Sequence, residues 1–290
     1  MKFAPALALI SVLAFVAGTD AVAKPKPKPV ESAPVAGPTD ADWRTPDPQN
    51  VLVIDTNKGR IIVEMSPAAA PASVARIQDL TRAGFYDGRS FFRVIDNFMD
   101  QTGDPQDNGQ GGSTKPDLPA EFTFRRDAQT PLVVVTKAAG VESGFLGSLP
   151  VISQTMDLGL LTADHKVNAW GTFCPGVGGM ARAEAPNSGN SQFFLMRGAV
   201  PNLDQKYTAW GRAISGLDVI SAIKTGEPVP APQDKMLKVR LLSDIAAAER
   251  PVVRVIDPAG PWFRAMAERV KTQKVIDFSI CDLDIPAQVK

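Results

Sequence analysis

Phe91-Phe92-Arg93-Val94-Ile95-Asp96-Asn97-Phe98-Met99-Asp100-Gln101-Thr102 is the stretch from which this 290-residue chain is best read. Aromatic and β-branched residues crowd both sides of Asp96-Asn97, which predicts two short strands, Phe91 to Ile95 and Phe98 to Thr102, joined by a hairpin turn. Strict alternation places Arg93 on the face of Phe91 and Ile95, and Met99 on the face of Gln101. A cation and an amide then share apolar ground. A lone strand arginine usually sits ion-paired on a solvated face, so its meaning depends on what else the chain brings to it.

Farther along, Gly179-Met180-Ala181-Arg182-Ala183 is followed by Pro186-Asn187-Ser188-Gly189-Asn190-Ser191-Gln192-Phe193-Phe194, again a short aromatic strand with a glutamine beside it. The first block fits the pattern F-x-R-V-I-x-x-F-M-x-Q and the second N-x-x-x-S-Q-F-F. Together, in this order, they resemble the cyclophilin-type peptidyl-prolyl cis-trans isomerases. The resemblance implies a mainly β fold, a closed antiparallel β-barrel capped by two helices, over residues 50–245.

The flanking sequence is read on its own terms. Val51 to Thr56 and Arg60 to Met65 flank Asn57-Lys58-Gly59, a hairpin with glycine where positive φ is needed. Val74, Ile77 and Leu80 recur at helical spacing between about Ala72 and Ala83, after Pro71 and before Gly84. Leu217 to Ile223 is the expected second helix and Met236 to Leu242 the closing strand.

Site roles come from the resemblance. Arg93 would donate to the prolyl nitrogen and Gln101 would hold the substrate carbonyl. Phe98, Met99, Phe194 and Leu203 would form the hollow for the proline ring, with Tyr207 closing one side. Gln192 would brace the groove, and the main chain of Ala181 and Arg182 would pair with the residue before proline. The chain departs from common family members at Arg182 (usually Asn), Asn202 (often Trp), Tyr207 (often His) and Phe92 (often His). Without that Trp, strong inhibition by cyclosporin-like cyclic peptides is not expected. No metal, nucleotide or other cofactor is implied.

Two pieces are added to the barrel. Residues 125–173 interrupt it as an insertion in a surface loop, with a strand expected at Leu132 to Thr136 and an apolar, glycine-containing run from Leu146 to Leu161. A packed decoration is preferred to a substrate-recruiting flap. Residues 246–290 read as a strand-helix-strand arm: Pro251 to Asp257, Pro261 to about Lys271, and Val275 to Cys281. Cys174 ends the insertion and Cys281 lies in the arm, so a bridge between the two added pieces is possible; two buried free thiols fit equally well.

Composition narrows the field. Lys plus Arg number 31 and Asp plus Glu number 31, and no basic face suited to nucleic acid is visible. The single histidine, His165, stands between Asp164 and Lys166 in the insertion and is expected to be exposed. One His and two distant Cys offer neither metal-ligand spacing nor a His-dependent triad. Gly109-Gln110-Gly111-Gly112 lacks the following Lys-Ser/Thr of a phosphate loop.

Met1 to Ala23 has the pattern of a signal peptide: Lys2, an apolar run from Leu7 to Val16, and Ala21-Val22-Ala23 as cleavage site. The apolar run is shorter than the roughly 20 residues that span a bilayer. Residues 24–49, opening Lys-Pro-Lys-Pro-Lys-Pro, read as an extended linker. The expectation is a monomeric isomerase, periplasmic or secreted after cleavage following Ala23, acting on exported proteins with exposed X-Pro segments. A chaperone that holds such segments with little turnover is the alternative.

Overall fold

The computed structural model describes residues 36–138 and 140–290; the expected signal peptide and most of the Pro-rich linker lie outside the described residues. Nineteen elements follow in order. The first group is β1 (Trp43–Arg44), β2 (Val51–Thr56), β3 (Gly59–Met65), α1 (Pro71–Arg82), β4 (Arg93–Ile95) and β5 (Met99–Thr102). Next come β6 (Phe124–Arg126), β7 (Leu132–Ala138), β8 (Val141–Leu146), β9 (Leu149–Gln154) and β10 (Val167–Gly171). The chain continues with β11 (Val177–Met180), β12 (Phe193–Met196), β13 (Ala209–Ser215), α2 (Leu217–Ala222), β14 (Met236–Leu241), β15 (Val253–Ile256), α3 (Pro261–Gln273) and β16 (Ala287–Val289).

Eight antiparallel strands form one curled sheet in the order β14-β2-β3-β13-β11-β12-β5-β4. Its two edges meet through the isolated bridges Ser90–Lys235 and Val94–Gly226 instead of a continuous ladder. Inside, Leu52, Ile54, Ile61, Val63, Phe193 and Trp210 pack with Val74, Ile77 and Leu80 of α1 and Ile220 of α2. Helix α1 has no capping side chain at Ala70; Pro71 occupies its first turn, where a missing N–H costs nothing. Its free donors are met from afar: the Glu121 carboxylate accepts from the amides of Ala72 (2.8 Å) and Ser73 (2.9 Å).

The outer face of the same sheet is also covered. Val51, Val53, Ile62, Val177 and Met196 are buried there together with residues of the insertion and the arm. The insertion is itself a five-stranded antiparallel sheet, β6-β10-β9-β8-β7, more regular than a surface loop. Phe145 of β8 meets Phe263 of α3 edge-to-face at 5.5 Å, which locks insertion to arm. Cys174 and Cys281 are joined by a disulfide that closes a separation of 107 residues.

Several expectations are corrected. Strand β4 begins at Arg93, not Phe91: the Phe91 amide bonds to the Asp234 carbonyl (2.9 Å) at the barrel seam, and its ring is buried in the inner cluster. Arg93 and Phe91 therefore lie on opposite sides. Phe98 is in the turn, because Asn97 takes φ +56° and the β5 ladder starts one residue later. Part of the linker is folded: Asp40–Asp42 makes a 3-10 turn and β1 pairs with β15. The expected second strand of the arm, Val275 to Cys281, is not one. A capping box at Ser279 and Asp282 starts a 3-10 turn at Ile280, Ile276 is 92% exposed, and β15 takes its partner from Ala287–Val289 instead. Among the described residues no helix is long and apolar enough to cross a membrane.

Candidate functional site

Register builds the site. Strands β4 and β5 set Arg93 opposite Gln101 and Ile95 opposite Met99, while β5 and β12 set Gln101 opposite Phe194. Directly opposed residues share a face, so Arg93, Gln101 and Phe194 form one row across three strands. Gly179 of β11 continues that row, and only glycine fits, since a β-carbon there would collide with the rings of Phe194 and Phe173. The Phe194 ring lies 5.8 Å from Phe173 behind it and 5.8 Å, edge-to-face, from Tyr207 beside it.

The result is a hollow of about 120 Å³ lined by Arg93, Phe98, Met99, Gln101, Ala181, Arg182, Phe194, Leu203 and Tyr207. Of the residues given a role in the groove from the sequence, only Gln192 is missing from its wall; the two cysteines, Phe92 and Asn202 also lie off it. Gln192 lines a second, more polar hollow of about 370 Å³, which adjoins the first along Gln101, Ala181 and Arg182 and is bordered by Gly109–Gly112. Cys174 is buried behind the site, next in sequence to Phe173. None of the described residues of 125–173 lines either hollow, so the flap reading of Phe145 to Leu161 is not supported.

A directed chain of hydrogen bonds joins the two hollows. Arg93 Nη1 donates to Gln101 Oε1 (3.3 Å), Gln101 Nε2 to Gln192 Oε1 (2.9 Å), and Gln192 Nε2 to the carbonyls of Gly109 (3.1 Å) and Gly111 (2.7 Å). Because arginine only donates, each amide in the chain has one allowed orientation. The glycine loop is in turn organised by buried Asp104, whose carboxylate accepts from the amides of Gln106, Asn108 and Gly109. Burial raises the pKa of that carboxyl, but the backbone donors outweigh it and hold the group below the usual carboxylate range.

Sequence reading missed Glu227. Its carboxylate accepts from Arg93 Nε at 2.5 Å, and it rides on a loop fixed to β4 by paired Val94–Gly226 amide bonds (2.8 Å each) and by the Val229 amide on the Phe92 carbonyl (2.9 Å). No motif marks it, because 134 residues separate the partners. With Nε and Nη1 engaged, Nη2 of Arg93 has no hydrogen-bond partner among the described residues. On the opposite side of β5, fully buried Asp100 accepts from Arg197 Nε (2.5 Å). Arg197 also donates to the carbonyls of Ile220 and Ile223, tying the strand to α2. Burial pushes the Asp100 carboxyl up to about 7, against the pull of Arg197.

Among the described residues no Ser, Cys, His, Asp or Glu lines the smaller hollow; its one hydroxyl is that of Tyr207, and the wall holds no carboxylate or imidazole to activate it. What it supplies is an oriented cation above an apolar seat, which suits an enzyme that changes the conformation of a bound chain without breaking a bond. Residues 51–242 match the family described as cyclophilin type peptidyl-prolyl cis-trans isomerase/CLD, and the chain belongs to that family. A probable peptidyl-prolyl cis-trans isomerase of Brucella suis is 33% identical over 214 residues, spanning 68% of this chain and 85% of that protein. A peptidyl-prolyl cis-trans isomerase-like 1 of Gibberella zeae is 29% identical over 197 residues, 67% of this chain and 95% of that one. The crystal structure of cyclophilin AquaCyp293 from Hirschia baltica superposes with a TM-score of 0.79 at 35% identity, over 85% of this chain and 93% of that chain. Such coverage exceeds the share of the chain that residues 51–242 represent, so the likeness takes in part of what lies outside them.

Proposed function

We propose that this isomerase assists the folding of exported proteins by accelerating rotation about their X-Pro bonds. The observation that carries the reading is the state of Arg93: two of its nitrogens are anchored to Glu227 and Gln101, and the third is left over at the rim of an apolar hollow.

Rotation about an X-Pro bond is opposed by roughly 18–20 kcal/mol, because the nitrogen lone pair is delocalised into the carbonyl. At the twisted midpoint that lone pair returns to nitrogen, which becomes a hydrogen-bond acceptor. A proline ring seated among Phe98, Met99, Phe194 and Leu203 would bring its nitrogen toward the Arg93 guanidinium. That donor is permanently protonated, already ordered, and partly screened from water by Phe98, whose ring centroid is 6.0 Å away. It meets an acceptor that exists only in the twisted state, so its effect falls on the barrier instead of on substrate affinity. The chemistry needs no cofactor.

Export is supported by the pattern of Met1 to Ala23. N-terminal sequencing of the protein from a periplasmic fraction should begin at Lys24, and retention of Met1 in the cytosol would overturn this part. A single-chain species by light scattering is the expected oligomeric state. For the activity, a protease-coupled prolyl-peptide assay should show turnover that falls by about 10²–10³ in Arg93→Ala, the range for loss of one transition-state donor, with peptide binding retained. Wild-type protein that binds but does not turn over would favour the holding chaperone instead. That second reading draws on exposed apolar pairs in the added pieces, Leu160-Leu161 and Val275-Ile276.

A further inference from the structure

We infer that Arg182 selects proline segments bearing a carboxylate in one of the two positions before the proline; this rests on the isomerase reading of the groove. Arg182, Gln101 and Ala181 are the wall shared by the two hollows. The Arg182 guanidinium is firmly held: Nε donates to the Lys206 carbonyl (3.0 Å), and Nη1 to the carbonyls of Ala183 and Glu184 (2.9 Å each). It also lies 4.6 Å from the Tyr207 ring centroid and 5.4 Å from that of Phe122. These contacts order the group without cancelling its charge, since carbonyls and ring faces carry no formal negative charge. Among the described residues Arg182 forms no ion pair, and its Nη2 has no hydrogen-bond partner.

The contrast with Arg93 is informative, because that cation is matched by Glu227. Among the described residues the one carboxylate lining either hollow is Asp117, which borders only the larger one and accepts from Asn190 Nδ2 (2.9 Å). A peptide with its proline in the smaller hollow reaches the larger by crossing the wall at Ala181 and Arg182. Its side chains there meet an uncompensated cation whose ordering cost is already met. A carboxylate gains a charge-assisted hydrogen bond, whereas an ammonium is repelled.

The test compares proline tetrapeptides with Ala, Glu or Lys at each of the two positions before proline, in turnover and in binding affinity. For wild-type protein at low salt, Glu in one of these positions should exceed Ala by about two- to five-fold and Lys should fall below it, the range for a partly exposed ion pair. The Glu preference should shrink in about 0.5 M NaCl. Arg182→Gln should bring the Glu-to-Ala ratio to about one, and Arg182→Lys should keep part of it. A wild-type ratio near one, or a ratio unchanged by Arg182→Gln, overturns the inference. Affinities report the same ratio even without turnover, so an inactive protein would count against the isomerase reading alone.

Discussion

Arg93 works through its partners. An arginine side chain has enough rotamer freedom that a single contact would leave its donors dispersed; Glu227 on Nε and Gln101 on Nη1 fix the guanidinium plane from two sides. Both members of the Arg93–Glu227 pair are partly exposed, so the contribution to stability is small and the consequence lies in orientation. Glu227→Gln, which keeps the shape and loses the charge, should lower kcat by about two- to five-fold at unchanged KM. Glu227→Ala should lower it further. Steady-state kinetics on one prolyl peptide decides this, and wild-type kcat in both variants would exclude the positioning role. Arg93, Gln101 and Phe194 were legible because they stand in short contiguous motifs. Glu227 was not, since only the barrel seam brings it to β4.

Two elements outside the barrel ladder set the walls of the groove. The loop from Asp104 to Gly112 is a turn built around one carboxylate, and its carbonyls end the hydrogen-bond chain that starts at Arg93. A carboxyl whose folded pKa is depressed contributes stability that is complete above its unfolded value of about 4 and is lost as pH falls through the folded value. Thermal unfolding between about pH 2 and pH 7 should therefore show an acid loss that is smaller in Asp104→Asn. That variant should also be about 1–3 kcal/mol less stable than wild type at neutral pH. A pH profile parallel to wild type would show that other carboxylates carry the acid response. The second element is the end of the insertion, where fully buried Phe173 backs Phe194 and its amide donates to Asp204 (3.1 Å), beside Leu203. Phe173→Ala should cost about 3–5 kcal/mol in denaturant unfolding and weaken peptide binding, because the cavity opens directly behind the proline seat. Unchanged binding would mean that Phe194 keeps its place without that support.

At the scale of the molecule the barrel sheet is buried on both faces around Val51, Val53, Ile62 and Val177, where the two added pieces are its outer layer, and open at the groove. The disulfide fastens one to the other across 107 residues. In the chain-entropy account a loop of this size contributes about 5 kcal/mol by restricting the unfolded chain. Replacing both cysteines with alanine should lower stability by about that amount while kcat/KM stays near wild type, because neither sulfur lines the groove. Thiol titration of the denatured, unreduced protein should find none free. An equal melting temperature for the double variant would show that packing such as Phe145 on Phe263 holds the layer without the bond.

Local sequence determined the elements that carry their own periodicity or turn chemistry: the β2–β3 hairpin, α1, α2, β14, and the strands around Arg93 and Phe194. It also held an unread sign of the outer layer. Val51-Leu52-Val53-Ile54 is continuously apolar where a half-buried strand would alternate, which is what a sheet covered on both faces demands. Tertiary structure alone decided what does the covering. Strand β1 exists because β15 pairs with it, and the arm's second strand is Ala287–Val289 because β15 takes that segment while Ser279 and Asp282 end the apolar run before it in a 3-10 turn at Ile280–Asp282. Strand pairing is an interaction between partners, and a short segment cannot specify a partner that lies two hundred residues away.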